Sequence, residues 1–132
     1  EKFTHKGINI EATEGAAVPQ IENGYIVEYN NENFYLEPHG FLDKKLAPRK
    51  LKVVITPTKN LNLPFVGSFI KGAEIVPELI KLFSPNYILS STTGGDAEFS
   101  GILNRFISIK DLENNLLNCE LIQLNCLENI NI

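Results

Sequence analysis

The chain has 132 residues, of which 43% are hydrophobic, and a net charge of −4. A chain of this length builds its own core without disulfides or a structural metal. Its longest apolar runs fall far short of the ~20 residues that span a bilayer, and it carries no signal-peptide pattern, so a soluble, cytoplasmic, single domain over residues 1–132 is expected.

The N-terminal third reads as β structure. Ile8 and Ile10 alternate with polar neighbours up to the break at Glu14-Gly15. Tyr25–Tyr29 and Phe34–Leu36 are rich in aromatic and β-branched residues, which suit a pleated surface. Asn30-Asn31-Glu32-Asn33 between them predicts a hairpin with a longer loop. His5 lies near a terminus expected to fray, and His39 sits in a Pro-His-Gly turn that ends the second strand.

A basic block follows. Residues 1–37 sum to −5, residues 38–60 to +5 and residues 61–132 to −4. The block could serve as a phosphate patch, but it lacks interleaved aromatics and belongs to an acidic chain. It reads instead as a basic hairpin lying against the acidic N-terminal third, with no nucleic-acid partner. Leu51–Thr56 is nearly continuously apolar and predicts a central strand buried on both faces. Residues 57–64 read as a loop between Pro57 and Pro64.

Residues 65–76 combine helical spacing of Phe65, Val66, Phe69 and Ile70 with Gly67 and Gly72, which weaken a helix. Pro77 suits a first helical position, Leu79, Ile80, Leu82 and Phe83 supply a buried side, and Ser84-Pro85 stops the helix. Tyr87–Leu89 reads as a short strand. Asp96 could cap a helix from Ala97 to Asn104, and Ser108-Ile109-Lys110-Asp111 could start another from Ile109 to Leu117, before a last strand at Leu121–Leu124. The alternative is one helix over 109–130, on the heptad-like spacing of Ile109, Leu112, Leu116, Cys119, Cys126 and Ile130. The expected fold is α+β: a mostly antiparallel or mixed sheet, with the N-terminal hairpin and a central strand near 51–56, packed against two or three short helices.

No motif requires a particular chemistry. Ser90–Asp96 after a strand could hold an anion on backbone N–H groups, but it is neither a P-loop nor a dinucleotide fingerprint. Cys119 and Cys126 read as buried apolar thiols. Glu11/Glu14 and Asp111/Glu113 read as solvated acids without calcium-loop spacing, so no metal site, cofactor or catalytic residue is assigned. Size, acidity and the lack of motifs suit a non-catalytic domain that binds a basic protein partner. The tail from Ile107 to Leu112 and from Cys119 to Ile122, under a quarter of the chain, faintly resembles some toxin-neutralising immunity proteins. That resemblance implies an inhibitor whose contact acids include Asp96, Glu98, Asp111, Glu113 and Glu120. The alternatives are a structural or adaptor domain of a larger assembly, such as a phage particle, and a small-molecule binder or enzyme using the Ser91–Asp96 loop.

Overall fold

The computed structural model describes residues 1–15, 22–63, 67–91, 108–110, 119–124 and 128–132. Ten strands and one helix lie among them: β1 (Lys2–His5), β2 (Ile8–Ala12), β3 (Tyr25–Tyr29), β4 (Glu32–Leu36), β5 (Val53–Thr56), β6 (Asn60–Leu63), β7 (Gly67–Lys71), α1 (Gly72–Phe83), β8 (Tyr87–Ser90), β9 (Ser108–Lys110) and β10 (Glu120–Ile122). Seven strands form one sheet in the order β1-β2-β3-β4-β5-β8-β10, and three form a second in the order β7-β6-β9.

The large sheet has two characters. β1 to β4 make an antiparallel meander, whereas β4, β5, β8 and β10 run parallel. The meander follows from local turn chemistry. Asn30 and Asn31 have φ of 49° and 63°, and Lys6 and Gly7 have 47° and 80°. Two successive residues at positive φ give the primed turn whose twist matches a two-residue hairpin. The β3–β4 connection is therefore tighter than the four-residue loop expected, and Glu32 and Asn33 belong to the strand. β1 is an addition to the expected strands, and it places His5 in a pairing opposite Ile8.

Side chains alternate between the two faces of a sheet, and only one face here carries the main core. Ile26, Tyr35, Val54 and Ile88 lie in one row across paired strands. They pack with Leu51 and with Val76, Leu79 and Phe83 of α1. The Tyr35 and Phe83 rings meet at 5.1 Å. The central strand over 51–56 is thus observed as β5, flanked on both sides by parallel neighbours.

The helix begins at Gly72, five residues before the expected Pro77, which lies inside it. Proline there removes an intrahelical N–H, and burial of Gly72 and Val76 holds the additional turn in place. Ser84 ends the helix at φ 41°, its N–H donating to Ile80 O at 2.8 Å. The ambiguous segment before it forms β7, and the expected 57–64 loop contains β6.

The α+β expectation of two or three packed helices is overturned: among the described residues a seven-stranded mixed sheet dominates, with α1 its one helix. Ser108–Lys110 is a strand paired with β6, so a helix does not start at Ile109, and β9 with β10 excludes a single helix over 109–130. The final strand at 121–124 is observed as β10. The Ala97–Asn104 helix lies outside the described residues. No helix among the described residues is long and apolar enough to cross a membrane.

The basic block is not the expected hairpin, since residues 38–52 form no strand and β5 and β6 belong to different sheets, but it lies against the acidic N-terminal third. Arg49 Nη1 donates to Glu11 Oε2 at 2.8 Å, Lys52 Nζ lies 2.8 Å from Glu32 Oε2, and Lys45 pairs with Glu14. The hydrogen bond from Arg49 holds the Glu11 carboxyl below its ordinary range, against the opposing effect of burial. Cys119 is a free thiol at the core margin, its pKa raised by burial, which marks a packing group and not an activated nucleophile.

Candidate functional site

Ligands of open sheets with parallel strands bind outside the carboxyl ends of those strands. Here β4, β5 and β8 end together, and the chain that leaves them carries Glu37 and His39, then Thr56 and Thr58, then Ser90 and Ser91.

Glu37 is fully buried at the end of β4. Its carboxylate accepts the His39 N–H at 3.1 Å and the Phe41 N–H at 2.8 Å. Burial raises its pKa, and the backbone N–H groups of Phe41, His39 and Gly40 oppose that rise. The turn so fixed carries Gly40 at φ 69°. His39, with a side chain 19% exposed, places Nε2 2.5 Å from Glu22 Oε2. A carboxylate on an imidazole orients the ring.

The end of β5 joins this turn through α1. A Cβ on Gly40 would lie 2.6 Å from Gly72 N, and one on Gly72 would lie 2.2 Å from Pro57 O. Both contacts are with backbone, so the three segments close only around glycine. Gly72→Ala is therefore expected to cost about 1–3 kcal/mol as an overpacked contact, net of the helix propensity that alanine adds. Thermal unfolding measures it, and an unchanged midpoint would show that the segments are not in contact.

Beneath the first turn of α1 lies a polar layer. Thr58 Oγ1 and Ser90 Oγ are 2.7 Å apart, and Asn60 Nδ2 donates to Glu74 Oε1 at 3.0 Å. Ser91 N–H donates to Thr56 O at 3.0 Å, so the Ser91–Asp96 loop departs from this edge. Thr56 Oγ1 and Asn60 Oδ1 are buried without a hydrogen-bond partner among the described residues.

Of the acids expected to meet a partner, Asp96, Glu98, Asp111 and Glu113 lie outside the described residues, as do residues 92–96 of the loop. Glu120 is exposed at the amino end of β10, away from the edge just described. Glu11 and Glu14 are held by Arg49 and Lys45 and form no acid–base pair with each other. Sequence reasoning noted Pro38-His39-Gly40 only as a turn and missed Glu37, Thr56 and Thr58. The signal was present in polar residues at or just beyond the ends of strands buried in the centre of a sheet.

No family model and no curated protein matches the sequence. Among solved structures, the chain is similar to a protein from Thermotoga maritima described as a zinc-dependent hydrolase of the metallo-β-lactamase superfamily. That match has a TM-score of 0.57 and 12% identity, and covers 95% of this chain and 69% of that one. It is also similar to a protein from Parabacteroides distasonis described as a metal-dependent hydrolase, with a TM-score of 0.46 and 16% identity, over 70% of this chain and 46% of that one.

A zinc centre is built from imidazole, thiolate and carboxylate donors, and the carboxyl edge does not supply such a set. Thr56, Thr58 and Ser90 offer neutral hydroxyls, and the Glu37 oxygens are taken by backbone N–H groups. The whole sequence has two histidines, of which His5 stands on the outermost strand of the sheet. Among the described residues no three His, Cys, Asp or Glu side chains come together as a metal-binding group.

The likeness corrects the expected function. The reading as a non-catalytic binding domain of inhibitor or immunity type rested on acidity and on the lack of motifs, whereas the Thermotoga protein whose fold the chain shares is described as a hydrolase. In architecture, the chain resembles the metallo-β-lactamase-like fold of the Thermotoga protein across nearly its whole length.

Proposed function

We propose that this chain is a hydrolytic domain acting at the carboxyl edge of β4, β5 and β8 on a small polar substrate. The observation that carries the reading is the likeness in fold, over 95% of the chain, to a protein described as a hydrolase. No step is routed through a metal, because the described residues at this edge do not form a donor set for one.

The His39–Glu22 pair is the proton carrier. The Glu22 carboxylate, exposed and held by His39 Nε2, takes a proton from water as the water oxygen bonds to the electrophilic atom of the substrate. It returns that proton to the leaving group as the scissile bond breaks. His39 orients that carboxylate through its ring Nε2. Glu37 acts at one remove, by fixing the turn that carries His39. A cytoplasmic setting suits the free thiol of Cys119.

The test is a panel of lactone, ester, amide and phosphodiester substrates. We expect turnover of at least one class that survives chelator treatment, and a loss of about 10²-fold or more in His39→Gln at unchanged thermal midpoint. Added zinc should leave that midpoint where it is. Absence of turnover across all four classes, or full activity in His39→Gln, would overturn the assignment.

A further inference from the structure

Asn23-Gly24 is the one asparagine–glycine pair in the sequence, and it stands directly before β3, next to Glu22. Asn23 is exposed, Gly24 is buried, and neither belongs to a strand. Packing requires glycine at the second position. A Cβ there would lie 2.7 Å from Thr13 Oγ1, 2.8 Å from the Tyr35 hydroxyl oxygen and 3.0 Å from Tyr35 Cε2. Tyr35 is fully buried in the core and cannot move aside. The Gly24 carbonyl accepts the Thr13 N–H at 2.9 Å, and among the described residues the Gly24 N–H donates to no backbone carbonyl.

An asparagine side-chain amide is open to attack by the main-chain nitrogen of the next residue, and glycine, with no Cβ, shields that nitrogen least. We propose that Asn23 is a site of self-modification, where Gly24 N closes on Asn23 Cγ beside the candidate site. The N–Cγ bond forms, the Cγ–Nδ2 bond breaks, and Nδ2 leaves as ammonia with the Gly24 N–H proton. Water then opens the five-membered imide at either carbonyl. Opening at Cγ leaves aspartate. Opening at the main-chain carbonyl leaves isoaspartate, whose backbone runs through Cβ and Cγ and is one carbon longer. Water is the one co-reactant, and nothing is oxidised or reduced.

Both products place a new negative charge one residue from Glu22, whose Oε2 lies 2.5 Å from His39 Nε2. Isoaspartate also lengthens the chain between two fixed points. On one side Glu22 is tied to His39, and on the other Gly24 O holds the Thr13 N–H. Gly24 has no room to shift, with Thr13 and Tyr35 against it. The added carbon is therefore taken up on the Glu22 side and draws that carboxylate off the imidazole. The effect on turnover rests on the hydrolytic reading, whereas the modification itself does not.

Peptide mapping by mass spectrometry of the full chain, held folded for weeks at neutral pH, tests this. The expected result is a gain of about 1 Da at Asn23 ahead of every other asparagine, with isoaspartate among the products. Asn23→Gln should abolish that gain at an unchanged thermal midpoint, because the side chain is exposed. The aged chain should melt below fresh protein, whereas Asn23→Asp, which has the charge without the extra carbon, should keep the fresh midpoint. A synthetic peptide of residues 20–27 sets the timescale. Asn23 still intact in the folded chain when that peptide has fully converted would overturn the proposal. So would an aged chain that holds only aspartate at this position. Mass and midpoint need no substrate, so a failure of the hydrolytic reading leaves both results standing.

Discussion

Replacing Phe83 by Ala is expected to lower the unfolding free energy by about 3–5 kcal/mol. Phe83 is fully buried as the last residue of α1, and its ring lies on that of Tyr35. Its carbonyl accepts the Leu51 N–H at 3.0 Å, which ties the helix end to the start of the central strand. The cost combines lost transfer energy with the cavity left between helix and sheet. Surrounding Val54, Val76 and Leu79 belong to regular elements and cannot collapse into that space. Phe83→Leu, which fills most of the volume, should cost about 1–2 kcal/mol. Urea denaturation measures both, and a loss under about 1 kcal/mol for the Ala variant would show that α1 does not pack where described.

Glu37→Ala should be nearly as damaging, for a different reason. It removes the acceptor of the His39 and Phe41 N–H groups, and each buried unpaired donor costs about 1–3 kcal/mol. Glu37→Gln separates the charge from the hydrogen bonds. Burial raises the carboxyl's folded pKa above its ordinary 4.5. Its contribution is therefore fully present below about pH 4.5 and is lost as pH rises through the folded value. The wild type should lose stability relative to Glu37→Gln across that window, so the difference between the two thermal midpoints changes with pH. If the wild type instead gained on the variant through the same window, the carboxylate would be stabilised as an ion and the burial account would fail.

How far the fold could be read in advance depended on how local its causes were. The β3–β4 hairpin was legible because Asn30 and Asn31 are adjacent in sequence and tolerate positive φ. β5 and β8 were legible as apolar, β-branched runs. β1 was not, because all four of its residues are exposed and show no alternation of burial. β6 was hidden between Pro57 and Pro64. Gly72 reads as a helix breaker in isolation, yet it opens α1 because a larger residue would strike Pro57 O. The parallel order β4-β5-β8-β10 joins residues far apart in sequence, and no local pattern records it. The same holds for the candidate site. Glu37 is a strand-terminal acid in the sequence, and its burial depends on Gly40 meeting Gly72. His39 was visible as a turn residue, whereas its pairing with Glu22 arises only when the chain folds back across the meander.

The two halves of the large sheet also differ in how the chain can reach them. β1–β2 and β3–β4 close over two-residue turns, so their contacts form between near neighbours at little entropic cost. β8 and β10 pair across residues 91–119, and each doubling of a connecting segment adds about 0.6 kcal/mol to the closure cost. Local contacts form quickly and distant ones slowly. The meander therefore supplies a template onto which the parallel strands assemble, with β10 added against β8 at the far edge. The carboxyl-edge cluster draws on β4, β5 and β8 together, so it comes into existence only after this slower half has docked.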